Sequence, residues 1–309
     1  MTITVLLASY KGQKYLTAQL ESILNQTTNP SALLISDDVS ARDCGEFIAT
    51  QGVLGDDVDK ITVVDGPQRG VNANFAHLIQ SAALADGVLY AYADQDDVWL
   101  EGKLHAASAM LADGSLSTAP RLYAGRTMVC DGDLNPLFLS KGMPRAASFQ
   151  NALLESIAGG NTMVFNPATL KLLKTVDVAV HHDQLTYMVV TACGGSVVFD
   201  DEPYVLYRQH GGNVIGANNG WFAKLYRLRR LLGNEFYGWA TDNINALSVI
   251  RLEMTDENQE TFDGFVRLHE MRGWHRCLAR LFLFKRLGLY RQRRLEHFGF
   301  MLAAFCGKV

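Results

Sequence analysis

The 309-residue sequence has few cysteines, and their placement excludes the usual cysteine-based sites. The five cysteines are odd in number and scattered, and none forms a CxxC pair. Disulfide frameworks and structural zinc sites depend on cysteines that are paired or closely spaced. We therefore expect reduced, mostly buried thiols in a cytosolic protein.

Long apolar runs are also missing. A membrane-spanning helix needs roughly 18 to 20 apolar residues, and the longest late candidate, Phe298–Cys306, is far shorter. The sequence passes from Met1 into a β-like run, Ile3–Ala8, without the basic and apolar segments of a secretion signal. These absences predict a cytoplasmic protein without a membrane span.

Charge is present but unevenly distributed. Residues 1–216 carry 13 Lys+Arg and 23 Asp+Glu, a net of −10, whereas residues 217–309 carry 15 and 9, a net of +6. Together these give the overall net charge of −4. Such a split predicts two functional parts, 1–216 and 217–309, with the boundary near Gly211–Gly220.

Strand and helix patterns alternate through the first hundred residues. Short β-branched apolar runs are separated by segments with apolar residues at helical spacing, which predicts an α/β fold. The strands read as continuously apolar, as in a mostly parallel sheet that is covered by helices on both faces. Arg121–Asp131 reads as one further strand, and the sequence beyond residue 220 reads as helical throughout. The early predicted strands are Ile3–Ala8, Ala32–Ile35, Ile61–Val64 and Val88–Ala93, with helices at Tyr15–Leu24 and Asn72–Leu84.

Polar residues follow three of these strands. They are Ser9-Tyr10, Asp37-Asp38 and the run Asp94–Asp97. Ligands of open α/β sheets bind outside the carboxyl ends of the strands. This coincidence is the first indication of a binding site.

The run Asp94-Gln95-Asp96-Asp97 places three carboxylates within four residues. Like charges this close repel one another, which favours a cation among them, and oxygen ligands suit Mg²⁺ or Mn²⁺. The alternative is a solvated acidic turn that caps the next helix.

Two other acidic positions have both a chemical and a structural interpretation. Asp37-Asp38 fits a contact to a nucleobase or a ribose, or else a simple turn. Asp183 fits a general base for a hydroxyl group, or else a helix N-cap. The neighbouring His181-His182 does not suggest a metal pair, because adjacent side chains point to different sides.

The loop Tyr207–Asn213 combines an arginine, a histidine and two glycines. Arginine pairs with phosphate, histidine can ligate a metal, and glycines let backbone amides approach a ligand. The loop therefore fits closure over a diphosphate, and it equally fits an ordinary polar connector.

Seven segments together resemble family 2 glycosyltransferases, specifically the bacterial rhamnosyltransferase-like branch. They occur in the family's order and cover roughly residues 1–216. The resemblance implies the GT-A nucleotide-diphospho-sugar transferase fold for 1–216, followed by an α-helical C-terminal region at 217–309. The segments are VLLASYKGQKYL, LESILNQT, ISDD, ADQDDVWL, GGNTMVFN, HDQ and DEPYVLYRQHGGNVIG.

The resemblance also implies roles on the donor side. Ala8, Ser9 and Tyr10 would line the nucleotide pocket. Asp38 would contact the base, and Arg69 would lie near the ribose or the diphosphate.

Asp94 and Asp96 match the DXD motif of the family, with Asp96 as the main contact to a divalent Mg²⁺ or Mn²⁺ ion. His210 would approach the metal or the diphosphate. On the acceptor side, Asp183 matches the catalytic base. The acceptor site itself would be shaped by Gly160, Asn161 and Gln184.

By this resemblance the chain would be a metal-dependent inverting enzyme that transfers one sugar per encounter. The donor would be dTDP-rhamnose or a UDP-hexose, and the acceptor a glycan or lipid-linked hydroxyl in bacterial surface polysaccharide synthesis. The sequence departs from the family at Val39, where a glycine is common, and at Leu185, where an aromatic is common. A nucleotidyltransferase would carry a Gly-rich basic loop after the first strand, which this sequence lacks. A non-catalytic nucleotide-sugar-binding scaffold remains the alternative from another class.

Residues 271–295 contain eight Lys+Arg and no Asp or Glu, interleaved with aromatic and aliphatic residues. This composition suits peripheral association with the anionic inner leaflet. The alternative is a helical subdomain whose basic face is solvated or pairs with the acidic half. No recognition motif favours nucleic acid as a partner.

Overall fold

The computed structural model describes residues 2–52, 59–112, 118–176, 180–209 and 235–308. The predicted boundary between residues 216 and 217 lies outside these ranges, as does His210, so both stay predictions.

A seven-stranded sheet organises the first two hundred residues, in the order β10-β6-β9-β4-β1-β2-β3. β9 runs antiparallel to both of its neighbours, and the other pairings are parallel. The predicted mostly parallel sheet is therefore confirmed. Its strands are β1 (Thr2–Ser9), β2 (Ala32–Asp37), β3 (Ile61–Asp65), β4 (Val88–Asp94), β6 (Arg121–Gly125), β9 (Val164–Phe165) and β10 (Ser196–Asp200).

The central strand β1 shows why this sheet needs cover on both faces. Alternate side chains of a strand point to opposite faces. Val5 and Leu7 pack into one hydrophobic core, and Leu6 and Ala8 pack into the other. The continuous apolar run of β1 thus fills two cores at once.

Helices on the two faces complete these cores. Ser40 caps one of them, α2, by accepting a hydrogen bond from the Asp43 backbone amide. The helices are α1 (Leu16–Leu24), α2 (Ala41–Thr50), α3 (Val71–Ser81), α4 (Lys103–Leu111), α5 (Phe149–Ala152), α6 (Pro167–Leu173) and α7 (His182–Ala192).

The prediction of one strand over Arg121–Asp131 is wrong. The segment divides between β6 in the large sheet and β7 in a second, four-stranded sheet of order β5-β11-β7-β8. Arg126 lies between them, and its Nε and Nη2 atoms bind the Ser140 carbonyl at 2.9 and 2.7 Å. These bonds hold the chain where it leaves the first sheet. The small sheet comprises β5 (Val98–Trp99), β7 (Met128–Cys130), β8 (Pro136–Leu139) and β11 (Val205–Arg208).

The described C-terminal residues are mostly helical, as the pattern predicts. Within them, no helix combines the length and the apolar character needed to cross a bilayer. Gly288 lies between the last two helices and has a φ of +66°. The helices are α8 (Glu235–Val249), α9 (Asp256–Glu270), α10 (Cys277–Arg286) and α11 (Arg294–Cys306).

Polar contacts attach this helical region to the sheet domain. The Glu155 carboxylate accepts hydrogen bonds from Arg291 Nε at 3.0 Å and from the Gln292 backbone amide at 2.5 Å. Asn151 Nδ2 donates to the Tyr290 carbonyl at 3.1 Å. Phe265, on α9, and Phe300, on α11, also join the hydrophobic core that contains α7.

Candidate active site

The register of the parallel strands brings the predicted polar strand ends together at one edge of the sheet. Ala8 lies opposite Ser36 on one side and Asp94 on the other. Ser9 lies opposite Asp37. The segments that were singled out separately along the sequence therefore form one edge.

The ends of β1 and β4 are joined by a side chain that sequence analysis missed. The Gln95 amide accepts a hydrogen bond from the Tyr10 backbone N–H at 2.8 Å and donates to the Tyr10 carbonyl at 3.1 Å. Ala8 and Ser9 are buried, whereas the Tyr10 side chain is 55% exposed. Of the three residues predicted to line the nucleotide pocket, Tyr10 alone presents its side chain to solvent.

The two aspartates after β2 have different partners. Asp37 Oδ1 accepts from the backbone amides of Val39 and Ser40, both at 2.9 Å, and so closes the turn before α2. Asp38 accepts from the backbone amides of Gln68 at 2.8 Å and Gly70 at 2.9 Å. Asp38 therefore fixes the loop that carries the exposed Arg69.

Asn74 is a second residue that sequence analysis missed. It is buried on α3, and its Nδ2 atom donates to the carbonyls of Ser9 at 3.2 Å and Ser36 at 2.9 Å. The side chain thereby joins the ends of β1 and β2. Its position inside an amphipathic helix pattern gives no sign of this role.

The pKa values of two carboxyl groups in the acidic loop after β4 are raised. Burial, and then the charges of Asp96 and Asp183, raise the pKa of Asp94 to about 7. The pKa of Asp97, which is fully buried, is raised well above its usual value by burial and then by Asp94 and Asp96. A cation beside these carboxylates would relieve this repulsion.

The acidic loop has carboxylate oxygens of the kind that bind divalent ions. In the described ranges, no group of three or more His, Cys, Asp or Glu side chains is arranged to hold a metal by itself. Mg²⁺ commonly binds one or two carboxylates and completes its shell with substrate phosphates. Asp94 and Asp96 have the oxygen donors for such a shared site.

The buried Lys103 binds a residue that holds the acidic loop, and sequence analysis assigned it no role. Lys103 Nζ lies 3.0 Å from the centroid of the Trp99 ring and donates to the Asn161 carbonyl at 2.7 Å. Burial lowers the pKa of Lys103 well below its usual value, against the influence of Asp97 and Asp94. Asn161 Nδ2 in turn donates to Asp97 Oδ2 at 2.5 Å. Asn161, expected on the acceptor side, is buried against the acidic loop.

Arg208 also differs from its expected role. The sequence suggests a phosphate contact, but the side chain is buried, with Nε donating to the Asp96 carbonyl at 3.0 Å. Nη1 donates to the Gly132 carbonyl at 2.6 Å. Arg208 thus holds the backbone of the acidic loop, while the rest of the predicted loop, from His210 on, lies outside the described residues.

Asp183 is the second residue of α7, so the alternative interpretation as an N-cap is wrong. His181 occupies the N-cap position. Asp183 Oδ1 accepts from the Gln184 backbone amide at 2.8 Å. Burial raises the pKa of Asp183. His182, next to Asp183 in sequence, packs edge-on against Tyr92 of β4 with ring centroids 4.9 Å apart, so the start of α7 lies against the strand that leads into the acidic loop.

The remaining acceptor-side candidates have packing roles. Gln184 is buried and donates to the Ala152 carbonyl at 2.9 Å. Gly160 leaves no room for a Cβ atom, which would overlap the ring of His182. His182 stacks on Phe75 with ring centroids 3.6 Å apart, and burial lowers its pKa to about 3, so the imidazole is neutral.

Sequence comparison relates the chain to a rhamnosyltransferase. No protein-family model matches the chain. A dTDP-rhamnosyl transferase of Shigella flexneri, RfbG, is 26% identical over 246 residues, which cover 75% of this chain and 80% of the relative. The resemblance to rhamnosyltransferase-like glycosyltransferases is confirmed.

Solved structures have the same fold. S. aureus TarS 1-349, crystallised in complex with UDP-GlcNAc, superposes with a TM-score of 0.55 at 14% identity over 100% of this chain and 90% of its own. Mannosyltransferase PcManGT of Pyrobaculum calidifontis, in complex with GDP-Man and Mn²⁺, gives a TM-score of 0.50 at 17% identity, over 99% and 86%. The predicted GT-A fold is confirmed.

Proposed function

We propose that this chain, which has the GT-A fold, is an inverting glycosyltransferase that moves one sugar from a nucleotide diphosphate to an acceptor hydroxyl. The observation that supports the proposal is the packing of His182, at the start of α7, against Tyr92 of β4, the strand that ends in the Asp94–Asp97 loop. A base and a diphosphate-binding acidic loop are the two groups that a single displacement requires.

Asp183 is the proposed base. A general base is most effective when its pKa is close to the working pH, and burial raises the pKa of Asp183 in that direction. Its carboxylate takes the proton of the acceptor hydroxyl as the new bond to the sugar forms. Attack from the face opposite the leaving diphosphate inverts the configuration at C1.

Asp96 and Asp94 would hold the divalent ion, Mg²⁺ or Mn²⁺, with His210 as a further proposed contact. Such an ion neutralises the charge that develops on a departing diphosphate. The buried Lys103, Asn161 and Arg208 fix the loop beforehand, so less reorganisation accompanies donor binding.

The donor side is the edge formed by Tyr10, Asp38 and Arg69. An exposed aromatic ring can stack on a nucleobase, and the guanidinium of Arg69 suits a ribose or diphosphate oxygen. The name of the Shigella relative supports dTDP-rhamnose as the first donor to test, and the ligand of TarS supports a UDP-hexose as the second.

The acceptor class is a hydroxyl of a glycan or of a lipid-linked intermediate in bacterial surface polysaccharide synthesis. Such acceptors are presented at the inner face of the plasma membrane. We therefore propose a cytoplasmic protein that works at that face.

A donor panel tests the proposal. Purified protein would be incubated with dTDP-rhamnose, UDP-glucose, UDP-N-acetylglucosamine and GDP-mannose, with Mn²⁺ or EDTA, and released nucleoside diphosphate would be measured. We expect release from one donor, lost with EDTA and with Asp96→Ala. Donor binding without release under any condition, even with candidate acceptors, would favour the non-catalytic scaffold instead.

A further inference from the structure

The last two helices expose large apolar side chains to an unusual degree. Soluble proteins scatter such residues singly, whereas clusters mark docking surfaces. Five of them are more than two-thirds exposed. They are Trp274 at 86%, Leu278 at 75%, Phe282 at 69%, Leu295 at 88% and Phe298 at 68%.

These residues form a stripe on each helix. Leu278 and Phe282 are four residues apart on α10, and Trp274 lies in the 3-10 turn that leads into it. On α11, Leu295 and Phe298 are three residues apart. Positions three and four apart lie on one side of a helix, so each stripe is continuous.

The opposite sides of the same helices are buried in the protein. Phe284 on α10 and Phe300 on α11 are nearly inaccessible and belong to the main core. The exposed apolar side chains therefore do not contribute to the hydrophobic core. Each helix has two apolar sides, and one of them has no role in the core.

The two helices form a rigid antiparallel pair. The buried Arg280 donates from Nε to the Ala304 carbonyl at 2.9 Å and from Nη2 to the Phe305 carbonyl at 2.7 Å. Further along, Phe284 lies against His297, with ring centroids 5.8 Å apart. These contacts hold the stripes in a fixed relation to each other.

Exposed cations lie in the same segment as the stripes. Residues 271–295 contain no Asp or Glu, and the following cations are exposed: Arg272, Arg276, Lys285, Arg286, Arg293 and Arg294. We call the two stripes and these cations the basic apolar face. In a symmetric dimer, this face would meet its own copy and bring like charges together. An anionic surface complements it instead.

We propose that the basic apolar face inserts into the headgroup region of an anionic lipid bilayer. The apolar stripes enter the acyl boundary, and the arginines and the lysine bind lipid phosphates, as basic amphipathic helices do at membrane interfaces. This binding does not depend on the sugar-transfer reaction. It assigns the membrane contact to named residues of α10 and α11.

Vesicle sedimentation with the full chain tests this directly. We expect binding to vesicles of phosphatidylcholine with phosphatidylglycerol at low salt, and at least tenfold weaker binding to phosphatidylcholine alone. The double substitution Leu278→Ser with Phe282→Ser is expected to weaken anionic-vesicle binding at least tenfold. Leu252→Ser is the matched control, because Leu252 is 84% exposed but lies outside the face.

Tryptophan fluorescence adds a local readout. We expect a blue shift of emission on addition of anionic vesicles, and its loss in Trp274→Phe with binding retained. Equal vesicle binding by wild type and the double variant would overturn the proposal. So would the absence of binding, or a concentration-dependent dimer that the double variant abolishes. Donor hydrolysis, measured on the same variants and expected to be unchanged, separates this result from the fate of the proposed function.

Discussion

The side-chain amide of Asn161 donates a hydrogen bond to the Asp97 carboxylate over 2.5 Å, between two fully separate segments of the chain. The backbone carbonyl of the same asparagine accepts from Lys103 Nζ at 2.7 Å. The turn that carries Asn161, the acidic loop that carries Asp97 and the helix that begins at Lys103 are thus linked by one buried network of hydrogen bonds next to Asp94 and Asp96. Breaking such a network in part lowers the stability of the fold, because the remaining polar groups stay buried without a hydrogen-bond partner.

Lys103→Met is expected to destabilise the fold by about 3 kcal/mol, since it leaves buried polar partners without their donor. Methionine keeps an apolar side chain of similar length, so the loss reports the amino group, which lies over the Trp99 ring and donates to the Asn161 carbonyl. Chemical denaturation measures it. Combining the change with Asp97→Asn should cost less than the sum of the two, by about 1 kcal/mol or more. Strict additivity would show that the two residues do not interact.

Asp183→Asn should lower the transfer rate by about 10²- to 10⁴-fold, because the amide cannot accept the acceptor proton. The asparagine oxygen can still accept from the Gln184 amide, so the fold and α7 should be unchanged. Donor binding, measured by calorimetry, is the control and should stay within about twofold of wild type. Near-normal transfer by this variant would assign the base to another residue.

Gln95→Ala should raise the KM for the donor roughly five- to tenfold, because it releases the two hydrogen bonds that hold the Tyr10 backbone. The effect on stability should be small. This backbone segment carries the exposed Tyr10 ring at the proposed nucleotide-binding edge of the sheet. Steady-state kinetics measure the effect. Gln51→Ala, at the far end of α2, is the matched control and should behave as wild type.

The contribution of Asp94 to the stability of the metal-free protein should fall as pH rises from about 4 to about 7. The unfolded chain releases the Asp94 proton near its ordinary pKa of 3.8, whereas the folded protein keeps it up to about 7. Between these values the folded state binds more protons, so the free energy of unfolding decreases with pH. Thermal unfolding in EDTA measures this contribution as the difference between the wild type and Asp94→Asn, and that difference should decrease with pH. An unchanged pH profile in that variant would mean that Asp94 ionises normally in the fold.

Much of the large sheet, and the position of its polar strand ends, could be predicted from the sequence. Strands such as β1 and β4 combine apolar runs with polar ends, and both signals are local. The grouping of Asp38 with Asp94 follows from the rule that parallel strands share a carboxyl edge. The addition of Asp183 to this group is a prediction from the family resemblance alone.

The supporting residues could not be predicted, because their partners are distant in sequence. Lys103 reads as a surface lysine at the start of a helix, yet its partner Asn161 lies 58 positions away. Asn161 itself reads as an acceptor contact by resemblance, while its hydrogen bond depends on the antiparallel course of β9. Arg208 similarly reads as a phosphate ligand until its buried position is known.

Gly160 has a consequence for how this site can change in evolution. Any side chain at that position would displace the His182 ring, and His182 opens the helix that holds Asp183. A larger residue at 160 is therefore acceptable only if a smaller one replaces the histidine at the same time. The two positions should vary as a pair, and a library that randomises both together should recover active combinations that neither single library contains.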